Sequence, residues 1–180
     1  ILFNIGHTNK LETFPGEQNN VIMIDAFDDV PFDSVIPKAL EILKGKTVSL
    51  ITDSQHLHQV ESVKKQLEDG GVFVKIGKGK GQLNDGQVFG CEFYPAMEIK
   101  EEVDANLFLG QSNFHAAGVA ISTKVKTYIL DPYFNEVRDV TNFAEKLEKK
   151  ATLKIYKAMD AKVFGVIVGL KEGQFAKVTA

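Results

Sequence analysis

The segment Asp85-Gly-Gln-Val-Phe-Gly-Cys91 carries the chain's only cysteine, ahead of an amphipathic pattern that predicts a helix over residues 93–102. A thiolate is a nucleophile, a redox group or a soft metal ligand, and a helix N-terminus favours its charged form. One thiol in 180 residues makes neither an internal disulfide nor a complete cysteine metal site. Two readings of Cys91 therefore stand open. It is an ordinary buried cysteine, since free Cys is among the most buried residue types, or it is one ligand of a metal or iron–sulfur site completed from outside the chain. Whether the sulfur lies in the core or at a strand-end cleft separates them.

Four other segments carry polar or basic side chains where strands should run into loops. Thr52-Asp-Ser-Gln-His-Leu-His-Gln59 holds Gln55, His56 and His58. Two histidines two positions apart point to different sides of a helix, so they predict no shared metal, and a polar capping region is the simpler reading. Gly77-Lys-Gly-Lys-Gly81 could bring backbone N–H groups to an anion. It matches neither G-x-x-x-x-G-K-[ST] nor G-x-G-x-x-G, and a solvated turn explains it as well. Gly110-Gln-Ser-Asn-Phe-His-Ala-Ala-Gly118 sets His115 near a helix start, open to a binding role or a simple capping turn. Asp131-Pro-Tyr-Phe-Asn-Glu-Val-Arg138 offers Arg138 among carboxylates; its plain reading is a Pro-initiated turn closed by surface ion pairs.

Alternating strand and helix patterns must position these groups. Strands are predicted at residues 1–5, 21–24, 46–52, 72–76, 105–109, 126–130 and 162–168, with a further one at 137–140. Helices are predicted at 32–43 with Gly45 as stop, at 55–67 before Gly70-Gly71, at 93–102, at 113–121, and from a Thr141 cap to about residue 159. Continuous apolar strands separated by helices predict an α/β fold, a three-layer parallel sheet flanked by helices. Residues 32–160 read as one complete domain, residues 1–31 as the end of a preceding one, and residues 161–180 as the start of another. Both ends read as cut from something longer. Ligands in such sheets gather at the carboxyl ends of the strands.

Composition bounds the rest. With 44% hydrophobic residues the chain can build one good-sized core, and a formal net charge of −3 argues for neither a nucleic-acid nor a membrane field. No apolar run approaches a membrane span, so neither nucleic acid nor membrane is expected as a partner. A single cysteine suits a reducing cytoplasm.

Taken in order, "SLITDSQHLHQVESVKKQLEDGGVFVKIGKGKG", "GQVFGC", "VDANLFLGQSNFHAAGVAI", "ILDPYFNEVRD" and "KAMDAKVFGVIVGLKEGQ" resemble the diphthamide-synthesis enzymes, the archaeal-type 2-(3-amino-3-carboxypropyl)histidine synthases. The resemblance runs from "NIGHT" at residues 4–8 to Gln174. It implies three similar α/β domains, each giving one cysteine to a shared [4Fe–4S] cluster whose open iron binds S-adenosylmethionine. It further implies a non-standard radical chemistry that moves a 3-amino-3-carboxypropyl group onto a histidine of translation elongation factor 2. Archaeal members of the family work as homodimers. Cys91 matches the middle-domain ligand in a GQ-x-x-G-C pattern. By position alone, Gln87 and Gly90 would shape the approach to the cluster, and Gln55, His56, His58, Gly110, His115 and Arg138 would line the pocket for the aminocarboxypropyl group or the target histidine. One departure is that His115 is followed by Ala116-Ala117, where the family often has proline. A non-catalytic scaffold or electron-transfer subunit and a small-molecule-binding α/β domain are the competing readings.

Overall fold

The computed structural model describes residues 2–5, 21–81, 83–165 and 167. Strands β1 (Leu2–Ile5) and β2 (Val21–Ile24) pair in parallel, Leu2 opposite Val21, as a two-stranded sheet of their own. The strands that follow are β3 (Thr47–Thr52), β4 (Phe73–Lys75), β5 (Ala105–Leu109), β6 (Thr127–Asp131) and β7 (Glu136–Asp139). They form one sheet in the order β4-β3-β5-β6-β7. Every residue of β5 and β6 is buried, as is β3 beyond its first residue. Burial on both faces is why these strands are continuous apolar runs rather than alternating ones.

The first four strands of this sheet run parallel, and β7 returns antiparallel against β6. The extra strand expected at 137–140 thus forms one residue earlier, and the sheet is mixed. A parallel return needs a crossover of about a dozen residues. Only a tight turn links Asp131 to Glu136, with Asn135 at φ 49°.

Helices cover both faces. α1 (Ile36–Leu43) and α2 (Val60–Asp69) bury Ile36, Ala39, Leu43, Val63 and Leu67 against Val48, Leu50, Leu107 and Leu109. On the other face, α3 (Tyr94–Glu98) and α4 (Asn113–Thr123) bury Ala96, Ala116 and Val119 against Ile51, Phe108 and Ile129. α5 (Thr141–Ala158) packs on α4 through Ala117, Ala120 and Ala144. Three layers result, as expected. Among the described residues, no helix is long and apolar enough to cross a membrane.

Several boundaries differ from expectation. α1 begins at Ile36, because residues 32–35 close a turn in which the Val35 N–H bonds to the Phe32 carbonyl, and Pro37 then opens the helix. The 55–67 segment opens with a 3-10 turn at Leu57–Gln59. The 93–102 segment divides at Ile99, which is buried with non-helical backbone angles, into α3 and a 3-10 turn at Lys100–Glu102. Thr141 lies inside α5 rather than capping it, and its N–H donates to Asp139 at 2.9 Å. Of the strand expected at 162–168, residues 162–165 and 167 carry none, and the remainder lies outside the described residues. An extended apolar segment needs a neighbour to hydrogen-bond with, and the described sheets offer it none.

The order of the strands fixes where a site can form. β3 and β5 are neighbours, yet the chain leaves β3 toward β4 on one side and returns to β5 on the other. α2 follows β3 on one face and α4 follows β5 on the opposite face, so the loops diverge between the tips of β3 and β5. Such a switch point is a ready-made crevice.

Candidate functional site

Cys91 is exposed. It sits at the tip of a reverse turn in which Phe89 and Glu92 face each other, the Phe89 N–H donating to the Glu92 carbonyl at 2.9 Å. The turn is tethered to the sheet by the residues before it. The Gly86 carbonyl accepts the Thr52 N–H at 2.9 Å, and the Val88 N–H donates to the Thr52 carbonyl at 2.8 Å. Residues 86–88 thereby extend the sheet beside the tip of β3, beyond the last β4 residue to pair with that strand, Lys75 opposite Ser49. The expectation of a thiol at a helix start needs correcting. α3 has only five residues and begins at Tyr94, three positions on, so turn geometry rather than a helix dipole presents this sulfur.

From Cys91 a row of contacts crosses the strand tips. A Cβ built on Gly90 would lie 2.2 Å from Cε1 of Phe114, so only glycine lets this ring lie against the turn. Phe114 meets His115 edge-on, and His115 stacks parallel on Phe108, with ring centroids 5.9 Å apart. Gly110 follows at φ 126°, where a Cβ would sit 3.3 Å from both Phe108 and the Cδ2 edge of His56. Gly110 is therefore the point where the two faces of the sheet meet. The Cys91 turn and His115 lie on the α3–α4 side, and His56 lies on the α1–α2 side against Phe32.

Each imidazole is held in place. At the start of α4 the Ser112 hydroxyl accepts the His115 backbone N–H and lies 2.7 Å from Nδ1 of the same ring. His56 is buried, with Nε2 3.2 Å from the Tyr133 hydroxyl, which donates to Asp28 Oδ2 at 2.6 Å. Burial pulls the His56 pKa below its ordinary value, although Asp53 and Asp28 favour the charged ring. The Tyr133 bond and the Val30 N–H hold Asp28 below the usual carboxylate range. Burial and the Asp28 bond raise Tyr133.

Arg138 approaches this end from β7. Its Nε donates to Asn113 Oδ1 at 3.1 Å and its Nη2 to the Gln111 carbonyl at 3.2 Å, tying β7 to the β5–α4 loop. Nη1 pairs with Glu136, and Nη2 lies 3.5 Å from Asp131. Asp131 is not a surface group as expected: it is fully buried, and it accepts the N–H groups of Tyr133 and Phe134 at 2.9 and 3.1 Å. Gln87 is buried beneath the Cys91 turn, its Oε1 accepting from the backbone and the side-chain amide of Asn84. Gln55 is exposed, and its carbonyl accepts the Asp28 N–H. His58 turns away from His56 to pair with Asp29 at 2.9 Å and to meet Phe27 edge-on.

The glycine-rich loop is occupied by its own chain. The N–H groups of Lys78 and Gly79 donate to Glu98 and Asp85, Lys78 Nζ pairs with Asp85 at 2.8 Å, and Lys80 lies over the Tyr94 ring. Two of the loop's N–H donors and one of its lysines are thus already used by carboxylates of the same chain.

The row thus brings together Cys91, Gly90, His115, Gly110 and His56, with Gln87 and Arg138 bracing it, while Gln55 and His58 hold the 27–30 segment instead. Sequence reasoning missed Asp28, Tyr133, Phe108, Phe114 and the burial of Asp131. Tyr133 stood inside a quoted motif, whereas nothing in the sequence marked Asp28.

Cys91 suits an iron–sulfur ligand in kind: a soft donor whose sulfur is reachable at a strand-end turn. It supplies one thiolate, and among the described residues no group of three or more His, Cys, Asp or Glu stands close enough to hold a metal.

A family model described as "Putative diphthamide synthesis protein" matches residues 1–180. The chain is 35% identical to the 2-(3-amino-3-carboxypropyl)histidine synthase of Pyrococcus horikoshii over 85% of its own length and 44% of that protein. It is 26% identical to the subunit 1 homologue of Gibberella zeae, over 86% of this chain and 34% of that one. The crystal structure of Dph2 from Pyrococcus horikoshii with a 4Fe-4S cluster superposes with a TM-score of 0.77 at 33% identity, covering 88% of this chain and 46% of that one. The chain spans less than half the length of each of these relatives. With the family's pattern matched from its first residue to its last on the expected α/β scaffold, the chain belongs to the diphthamide synthesis protein family.

Proposed function

We propose that the chain is the central part of a 2-(3-amino-3-carboxypropyl)histidine synthase, which transfers the 3-amino-3-carboxypropyl group of S-adenosylmethionine to a histidine of translation elongation factor 2. On this reading residues 32–160 are the middle α/β domain, residues 1–31 close the first and residues 161–180 open the third. Cys91 is one of three thiolates, one from each domain, that hold a [4Fe–4S] cluster. When bound, the reduced cluster supplies an iron for the sulfonium and the electron that cleaves it. The complete enzyme works in the cytoplasm as a homodimer.

The observation that carries this reading is the exposed Cys91 sulfur at a turn pinned to the tip of β3, the end of the sheet where ligands gather. A core cysteine would have weakened it. The chain's own residues shape the pocket around that sulfur. Gln87 and Gly90 set the turn, and Gly110 keeps the tip of β5 free of a side chain. His56, His115 and Arg138 supply polar edges for the amino-acid end of the cofactor or for the incoming imidazole.

The test is Cys91→Ala in the complete protein after reconstitution with iron and sulfide. Loss of both the cluster absorbance and aminocarboxypropyl transfer is expected. An intact cluster spectrum with full transfer would refute the assignment.

A further inference from the structure

Asp28 and Tyr133, which lie 105 positions apart, meet at the buried ring of His56. The Tyr133 hydroxyl has one hydrogen, and the 2.6 Å contact to Asp28 Oδ2 uses it. What the same oxygen turns toward His56 Nε2 is therefore a lone pair, and the 3.2 Å contact requires the imidazole hydrogen to be on Nε2. The ring's other sides are closed by Phe32, edge-on at 5.3 Å between centroids, and by Gly110 along the Cδ2 edge.

Both anchors are themselves fixed. The Asp28 N–H donates to the Gln55 carbonyl at 3.0 Å, and its carbonyl accepts from the Gln59 side chain at 2.7 Å. Tyr133 stands on a turn whose N–H groups are held by buried Asp131, which Arg138 faces in turn. Two independent stretches of chain thus converge on one imidazole.

We infer that Asp28 and Tyr133 are positioning residues for His56: they hold its ring in one orientation and one tautomer, with the Cδ2 edge toward Gly110 at the strand tips. That this edge serves aminocarboxypropyl transfer rests on the function proposed above. The anchoring itself does not.

Imidazole C2 hydrogen–deuterium exchange, followed by mass spectrometry on the full-length reconstituted protein, reads each histidine separately. Tyr133→Phe and Asp28→Ala should each shorten the exchange half-life of His56 several-fold and leave His115 unchanged. Asp28→Asn keeps an acceptor for the phenol and should restore the wild-type value. In transfer assays Tyr133→Phe should lower kcat/KM by up to about a hundredfold, the scale of an active-site group misplaced by about 1 Å. The Tyr133→Phe, His56→Ala double variant should be no slower than His56→Ala alone, as for residues that act as a unit. An unchanged His56 half-life in both Tyr133→Phe and Asp28→Ala overturns the inference, as do losses in kcat/KM that multiply. Altered exchange together with a fully active His56→Ala protein supports the anchoring and overturns only the pocket role of His56.

Discussion

His56 is a buried imidazole packed against Phe32 and Gly110, and its Nε2 faces a phenol that already serves a carboxylate. Burial lowers its pKa in the folded chain from the ordinary 6.5. The unfolded chain then binds a proton that the folded chain refuses, so stability rises with pH across that window. The contribution is complete above 6.5 and is lost as pH falls through the lower folded value. Urea midpoints should accordingly drop between pH 7 and pH 5, and the drop should be smaller in His56→Gln; identical slopes in the two proteins would count against a buried neutral ring. The residue scale was the least legible part of the site. Cys91 stood out as the only thiol, and His56, His115 and Arg138 as polar groups at predicted strand ends. Their pairing partners did not, because Asp28 and Tyr133 meet only once three distant stretches are folded together.

At the scale of elements, α4 shows how local sequence places a functional side chain. Ser112 caps the helix in extended backbone, and its hydroxyl serves both the His115 amide and the His115 ring. Ser112→Ala should cost about 1 kcal/mol of stability, the usual value of an N-cap, measured as a lower thermal midpoint. The helix was readable from periodicity, although it runs two residues beyond the expected end, to Thr123, where Lys124 closes it in left-handed backbone. So were α1 with Gly45 beyond its end, α2 with Gly70-Gly71, and the buried runs of β3, β5 and β6. The 93–102 segment was not. Its apolar spacing fits one helix, but a buried Ile99 and the coming entry into β5 divide it. The supposed helix-start environment of Cys91 vanishes with that division, and a reverse turn takes its place.

Across the whole molecule, stability rests on the two cores that sandwich β3, β5 and β6. Leu107, fully buried at the middle of β5, touches the larger one. Leu107→Ala should destabilise by about 2–5 kcal/mol through lost burial and a residual cavity, seen as a lower urea midpoint at unchanged slope; a loss well under 1 kcal/mol would mean that the site collapses around the gap. Apolar periodicity, punctuating glycines and ordered motifs were enough to determine the α/β class, the succession of elements and the family, because these depend on which residues are near one another along the chain. Only the tertiary structure decided that β7 runs antiparallel, that Asp131 is buried, that residues 86–88 prolong the sheet beside β3, and that Cys91 faces solvent while His56 does not. Those outcomes depend on strand order and on which loop tips converge, and no interaction confined to a stretch of sequence specifies them.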